Sequence, residues 1–166
     1  MKLLPPSLLA ALLVLSPQAG ALTADRNQPM DVAADYTDAV LSDDGSALLR
    51  GNVEISQGSL KVRAAEATLT RHDGAISKAV LRGQPATVEQ QLDAGGTMRA
   101  TAAQIEYDLG ADVLLLTGNV HIDQPEGSLR GESVRYHIAN GRIEGGTPGS
   151  RVQMRIPPRQ ASAPND

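Results

Sequence analysis

The chain has no cysteine, no phenylalanine and no tryptophan, and its aromatics are three tyrosines, Tyr36, Tyr107 and Tyr136. Lack of cysteine excludes disulfides, thiol chemistry and cysteine-ligated metal sites. Lack of Phe and Trp removes the rings that usually supply much of a core's buried area, so the core has to be built from Val, Ile, Leu, Met and Ala. An interior lined by such slim aliphatic groups also suits the entry of alkyl chains. Basic residues are the minority, 15 Lys and Arg against 19 Asp and Glu. That balance excludes the basic face that a nucleic-acid partner needs. Any anionic ligand has to be met by local charges.

Long apolar runs are scarce as well. Behind Lys2, Leu8 to Leu15 forms a short apolar stretch, and Ala19-Gly20-Ala21 follows as a small-residue cleavage signature. Residues 1–21 are therefore expected to be a cleaved signal peptide, with the mature chain starting at Leu22. The run falls well short of the roughly 20 residues that span a bilayer, and Pro5 and Pro6 interrupt its start. Without Lys2, 14 basic groups face 19 acidic ones. After Pro157-Pro158 the chain turns Pro/Ala/Ser-rich to Asp166, so 157–166 is expected to be a disordered tail. That leaves one folded domain over 22–156.

What is present is repetition. Leu49-Arg50-Gly51-Asn52-Val53-Glu54-Ile55 recurs as Leu116-Thr117-Gly118-Asn119-Val120-His121-Ile122, and Gly58-Ser59-Leu60 recurs as Gly127-Ser128-Leu129. The offsets are 67 residues (51 to 118) and 69 residues (58 to 127), which marks a duplication. Each half divides again, into units that start near Met30, Val62, Met98 and Leu129. Every unit has a turn glycine (Gly45, Gly74, Gly110, Gly141), then an apolar stretch leading to a second glycine (Gly51, Gly83, Gly118, and a degenerate Gly145).

Within the units the apolar period is two: Val53 and Ile55 alternate with Asn52, Glu54 and Ser56, and Leu60, Val62 and Ala64 alternate with Lys61 and Arg63. Asp73-Gly74 and Asn140-Gly141 signal two-residue hairpins, because both central positions of a type I′ turn need positive φ. One turn every 8–12 residues gives on the order of 15 short strands. Arg63 to Leu69 and Ala100 to Tyr107 contain good helix formers, but their repeat partners do not read as helix, so the fold class is all-β. The alternation proposes an apolar face made of Met30, Val32, Val53, Ile55, Leu60, Val62, Val88, Met98, Ile105, Leu116, Val120, Ile122, Leu129 and Val134.

Catalytic signatures are missing. His72, His121 and His137 are scattered without metal-ligand spacing. No serine sits in a nucleophile elbow, and Gly95-Gly96 and Gly145-Gly146 precede no helix that would cradle phosphate. No cofactor and no enzyme activity are expected.

Gly51-Asn52-Val53, Gly118-Asn119-Val120, the Gln84-Pro85-Ala86-Thr87 link and the duplicated layout together resemble the OstA-like family of periplasmic lipopolysaccharide export proteins, from Asn27-Gln28-Pro29 to about Ile156. The resemblance implies a single twisted β-jelly-roll, folded like an open taco around an apolar groove that shields lipid A acyl chains. It implies three partners besides the lipid: LptC, LptD and further copies of the chain itself. LptC is expected at the N-terminal edge near Met30 to Tyr36, and LptD or another copy at Val152 to Ile156. Arg71 and Lys78, which flank the Asp73-Gly74 turn, match basic positions of the family and are groove-mouth candidates. Two other readings compete: a structural or adhesion β-protein that binds no lipid, and a parallel β-helix carbohydrate-active enzyme. The second would need clustered carboxylates on one face.

Overall fold

A computed structural model describes residue 25 and residues 27–146 and 149–158. The expected signal peptide and most of the expected tail lie outside the described residues. Ten antiparallel strands form one sheet: β1 (Met30–Ala33), β2 (Tyr36–Ala39), β3 (Ser46–Gln57), β4 (Leu60–His72), β5 (Ala75–Gln91), β6 (Thr97–Asp108), β7 (Val113–Gln124), β8 (Gly127–His137), β9 (Arg142–Gly145) and β10 (Gln153–Arg155). The helix-prone stretches lie in β4 and β6, so repetition outweighed local propensity.

The order across the sheet nearly follows the chain, β1-β3-β4-β5-β6-β7-β8-β10, with β2 beside β1 on the edge of β3 and β9 beside β10 on the edge of β8. The four repeat units are four hairpins. Gly45, Gly74, Gly110 and Gly141 all lie in the connections between their strands. At Asp73-Gly74 the φ angles are +51° and +79°, as a type I′ turn requires. The Asn140-Gly141 expectation needs correction. His137 pairs with Arg142 across a loop of four residues, and only Gly141 takes positive φ there. Asn140 instead accepts a hydrogen bond from the Arg142 N–H at 2.9 Å.

The strands are fewer and longer than expected, because Gly51, Gly83 and Gly118 bend strands rather than end them. Pairing slips between Arg50 and Val53, Arg63 and Glu66, Arg82 and Ala86, Thr101 and Gln104, and Thr117 and Val120. These bulges stack in neighbouring strands, so they form one crease across the sheet. Counted as straight halves, the six long strands and four short ones come close to the number read from the sequence. At Gly51-Asn52 and Gly118-Asn119 two successive residues have positive φ, 72° and 44° in one copy, 81° and 49° in the other. Glycine and asparagine tolerate that conformation best, which is why they recur there.

The crease divides the sheet into two leaves, and apolar side chains of both leaves join a single core cluster. Gln124 and Glu126 at the tip of one leaf share a pocket with Tyr136 and Ile138 at the tip of the other, so the leaves fold toward each other. Their outer faces carry cross-strand ion pairs: Arg63–Glu54 at 3.0 Å, Arg99–Glu89 at 2.9 Å and Arg50–Glu66 at 3.2 Å. Exposed pairs of this kind contribute about 0–1 kcal/mol each. They help keep the polar face outward more than they stabilise the fold.

Candidate functional site

The inner face is the candidate site. Of the fourteen sequence-proposed residues, twelve are buried, from Ile105, Leu116 and Val134 at 0 % exposure to Leu60 and Val62 at 6 %. Met30 packs against the core from the edge. Val32 pairs with Ile55 but stays 39 % exposed, because no strand lies beyond it among the described residues. Alternation thus found much of the inner face and missed its thinning at the margin.

It also missed inner residues, among them Leu49, Leu69, Leu81, Leu114, Tyr107 and Tyr136. For Leu69, Leu81 and Tyr107 the reason is the crease. In β4 the inward positions run 60, 62 and then 67, 69, so their parity changes where the bulge adds a residue. In β6 they change from 98, 100, 102 to 105, 107. One signal could have found part of this set: in Leu48-Leu49 and Val80-Leu81, the second member points in. Next to the crease, Ala67, Ala86 and Ala102 are 0 % exposed. Small side chains let the leaves converge there.

The chain's own aliphatic groups close the space between the leaves, and pockets open at its margins. At the C-terminal margin a pocket of about 330 Å³ is lined by Ile122, Leu129, Ile143, Met154 and Ile156, so it reaches inner-face residues directly. At the N-terminal margin one of about 290 Å³ lies against Val40, Leu41, Leu69 and Ile76. The exposed large hydrophobics of the described residues, Val32, Tyr36, Val40, Leu41, Met154 and Ile156, all belong to these two margins. Soluble surfaces rarely cluster apolar groups in this way without a partner.

The two basic candidates part company. Arg71 borders the N-terminal pocket, and its guanidinium donates to the carbonyls of Leu41 and Gly74. Lys78 lies on the outer face, with its ammonium 2.6 Å from Glu106. The histidines are also separated. His121 lies 2.7 Å from Asp123, and His137 Nε2 lies 3.5 Å from Glu144. His72 Nδ1 lies 3.0 Å from Asp44. That contact ties the loop before β3 to the β4–β5 turn, and with Asp73 it makes an exposed trio whose ligand atoms lie within 4.8 Å of one another. Sequence spacing hid the trio, because Asp44 comes from a different hairpin.

One inner group has a shifted pKa. Burial, and then the charge of Glu126, push the Tyr136 hydroxyl above its ordinary value, so it stays protonated at neutral pH.

Residues 31–142 match the family described as LptA/(LptD N-terminal domain) LPS transport protein. The chain is 31% identical to the lipopolysaccharide export system protein LptA of Escherichia coli strain K12, over 96% of this chain and 87% of that one. It is 32% identical to lipopolysaccharide export system protein LptH of Pseudomonas aeruginosa, over 87% of this chain and 88% of that one. The crystal structure of LptH, titled the LptA-homologous periplasmic component of the lipopolysaccharide transport device, superposes with a TM-score of 0.71 at 29% identity. It covers 81% of this chain and 99% of that chain. These are transport proteins, not enzymes. With its creased, unclosed sheet and two apolar margins, the chain belongs to the LptA/LptD N-terminal-domain family of lipopolysaccharide transport proteins.

Proposed function

We propose that this protein carries lipopolysaccharide through the periplasm, holding lipid A acyl chains between its two leaves while sugars and phosphates stay in water. The observation that carries this reading is the continuous aliphatic inner face of a sheet that is creased but not closed. A saturated chain of about 14 carbons costs roughly 10 kcal/mol in water, at about 0.8 kcal/mol per CH₂. Lipid A bears several such chains, so an apolar shelter removes a prohibitive barrier without any chemistry.

The inner residues cover one another in one cluster, so taking up acyl chains requires the leaves to part at the mouth, opposite the crease. Apolar surface exposed by parting is covered again by the alkyl chains, and the exchange is nearly neutral for the protein. In this reading residues 1–21 are a cleaved export signal and 22–156 the working domain. The margins suit strand addition. In this reading LptC pairs near Met30 to Tyr36, and LptD or another copy pairs beyond Val152 to Ile156. Arg71 is the better placed of the two basic candidates to steady a phosphate at the mouth, since Lys78 is engaged with Glu106 on the outer face.

The test is capture in cells. Photo-crosslinking residues placed at Val53, Ile55, Val62, Val88 or Val120 are expected to label lipopolysaccharide, whereas one at Glu54 on the outer face is not. Equal labelling of both sets, or purified protein free of lipopolysaccharide by mass spectrometry, overturns the reading and favours a structural β-protein. For the margins, Val152→Pro is expected to weaken self-association and LptD binding. If both stay intact, the C-terminal assignment fails.

A further inference from the structure

One leaf runs from rim to rim through eight strands, β1-β3-β4-β5-β6-β7-β8-β10. β1 pairs with β3 and β10 with β8, and among the described residues no strand lies beyond either. The even number matters. If a second copy of the chain laid its β1 beside β10, both the antiparallel alternation and the phase of the ladder hydrogen bonds would continue without a break. The bulges at the crease leave the register within this leaf straight. One outer row begins at Asp31, crosses Lys61, Glu89, Arg99 and Asp123, and ends at Arg155, with Ser56 and Ser128 one strand in from the rims. Its charges alternate in sign, and inside it Arg99 meets Glu89 at 2.9 Å. The adjacent inner row runs from Val32 to Met154, and both of its ends are exposed hydrophobics.

We propose that a second copy of the chain joins the C-terminal rim in this one register, its Asp31 opposite Arg155 and its Val32 opposite Met154, and that the ion pair decides which rim meets which. The proposal rests on the strand-addition reading above and deepens it by fixing partner and register. Asp31 and Arg155 are both exposed, and neither side chain has a partner among the described residues. In this register the two strands also end together. Pro29 faces Pro157, and neither has an N–H to donate, so Met30–Ala33 lies against residues 153–156. β10 is held firmly enough to act as a template. Val152, just before it, fills a hollow left by Gly145 and Gly131, where an added Cβ would lie 3.0 and 3.4 Å from its methyl. Pairing like rims would instead gather two Asp31 carboxylates, or two Arg155 guanidiniums, on one short ladder, and charge repulsion selects against that.

The test follows self-association of the full-length mature chain by sedimentation velocity. Asp31→Arg and Arg155→Asp are each expected to weaken it about five- to tenfold at low salt, and less as salt rises. An equimolar mixture of the two variants should recover wild-type association, because every junction between them again joins opposite charges. Recovery also shows that both variants are folded. Disulfides read the register, since the chain has no cysteine of its own. Val32→Cys mixed with Met154→Cys should crosslink on oxidation. Val32→Cys mixed with Gln153→Cys should not, because residue 153 pairs with Arg130 on the opposite face. Undiminished association in both charge variants, no recovery in the mixture, or equal crosslinking of the two cysteine pairs overturns the proposal. If Val152→Pro abolishes association while the charge variants do not, the C-terminal assignment stands and this register alone fails. A wild type that captures lipopolysaccharide but stays monomeric overturns the register and leaves the carrier reading in place.

Discussion

The two Gly-Asn copies, Gly51-Asn52 and Gly118-Asn119, share a backbone conformation but not a neighbourhood. In the first, β3 lies at a margin, and the edge strand beside it is broken opposite the bend. There Asp35 donates its N–H to the Gly51 carbonyl at 2.9 Å and accepts from Asn52 Nδ2 at 2.8 Å. The second copy sits in the middle of the sheet, where a Cβ on Gly118 would lie 2.8 Å from Ala103 Cβ. The same tripeptide thus creases the sheet in both places. At the margin it is held by a polar side chain, and in the interior by close packing. A bend is therefore a property of the strand, while what secures it depends on position.

Substitutions can break or sharpen this contrast. The largest effect is expected from Gly118→Ala, which combines a strained φ of +81° with a collision against a β-carbon in a packed strand. A loss of about 3 kcal/mol is expected in urea unfolding. Gly51→Ala has the same backbone strain, but its added methyl meets the Asp35 carboxylate, which can swing aside, so about 1–2 kcal/mol is expected. Equal losses at the two glycines would erase the distinction.

Asp35→Ala should cost less again, about 0.5–1.5 kcal/mol for an exposed hydrogen-bond partner. Combined with Gly118→Ala it should add independently, since the two bends share no partner. Smallest at neutral pH is Tyr136→Phe. The folded-state pKa of Tyr136 is raised, so the unfolded chain releases its proton first as pH climbs past about 10. The stability this tyrosine confers is complete below that pH and is lost as pH rises through the folded value. The phenylalanine variant should show a flatter alkaline denaturation profile, and an identical profile would remove the argument.

Much of this was legible in the residues. Four turn glycines marked four hairpins, and a period of two placed Val53, Ile55, Val62 and Val120 on one face. The crease was not legible, because Gly-Asn reads equally well as a hairpin turn and as a bulge. Only the partner strand decides between them. With the crease hidden, the switch of parity at Ala64 and Ala102 was hidden too, and Leu69 and Tyr107 were passed over. Gln90, buried on the inner face, escaped for a different reason. A glutamine between polar neighbours carries no hydrophobic signal, and its burial comes from a facing leaf distant in sequence. The Asp44–His72 contact likewise depends on loops that meet only once the hairpins are aligned.

The near-sequential strand order has a kinetic meaning. In sandwiches with crossed-over connections, distant segments have to find one another before any pairing is gained, and the entropy of closing those long loops slows assembly. Here each long strand finds a mate just across a short connection, so the ladder can zip from any hairpin outward in either direction. A ribbon of this order has no final strand whose arrival closes a ring, and among the described residues its two rims stay open.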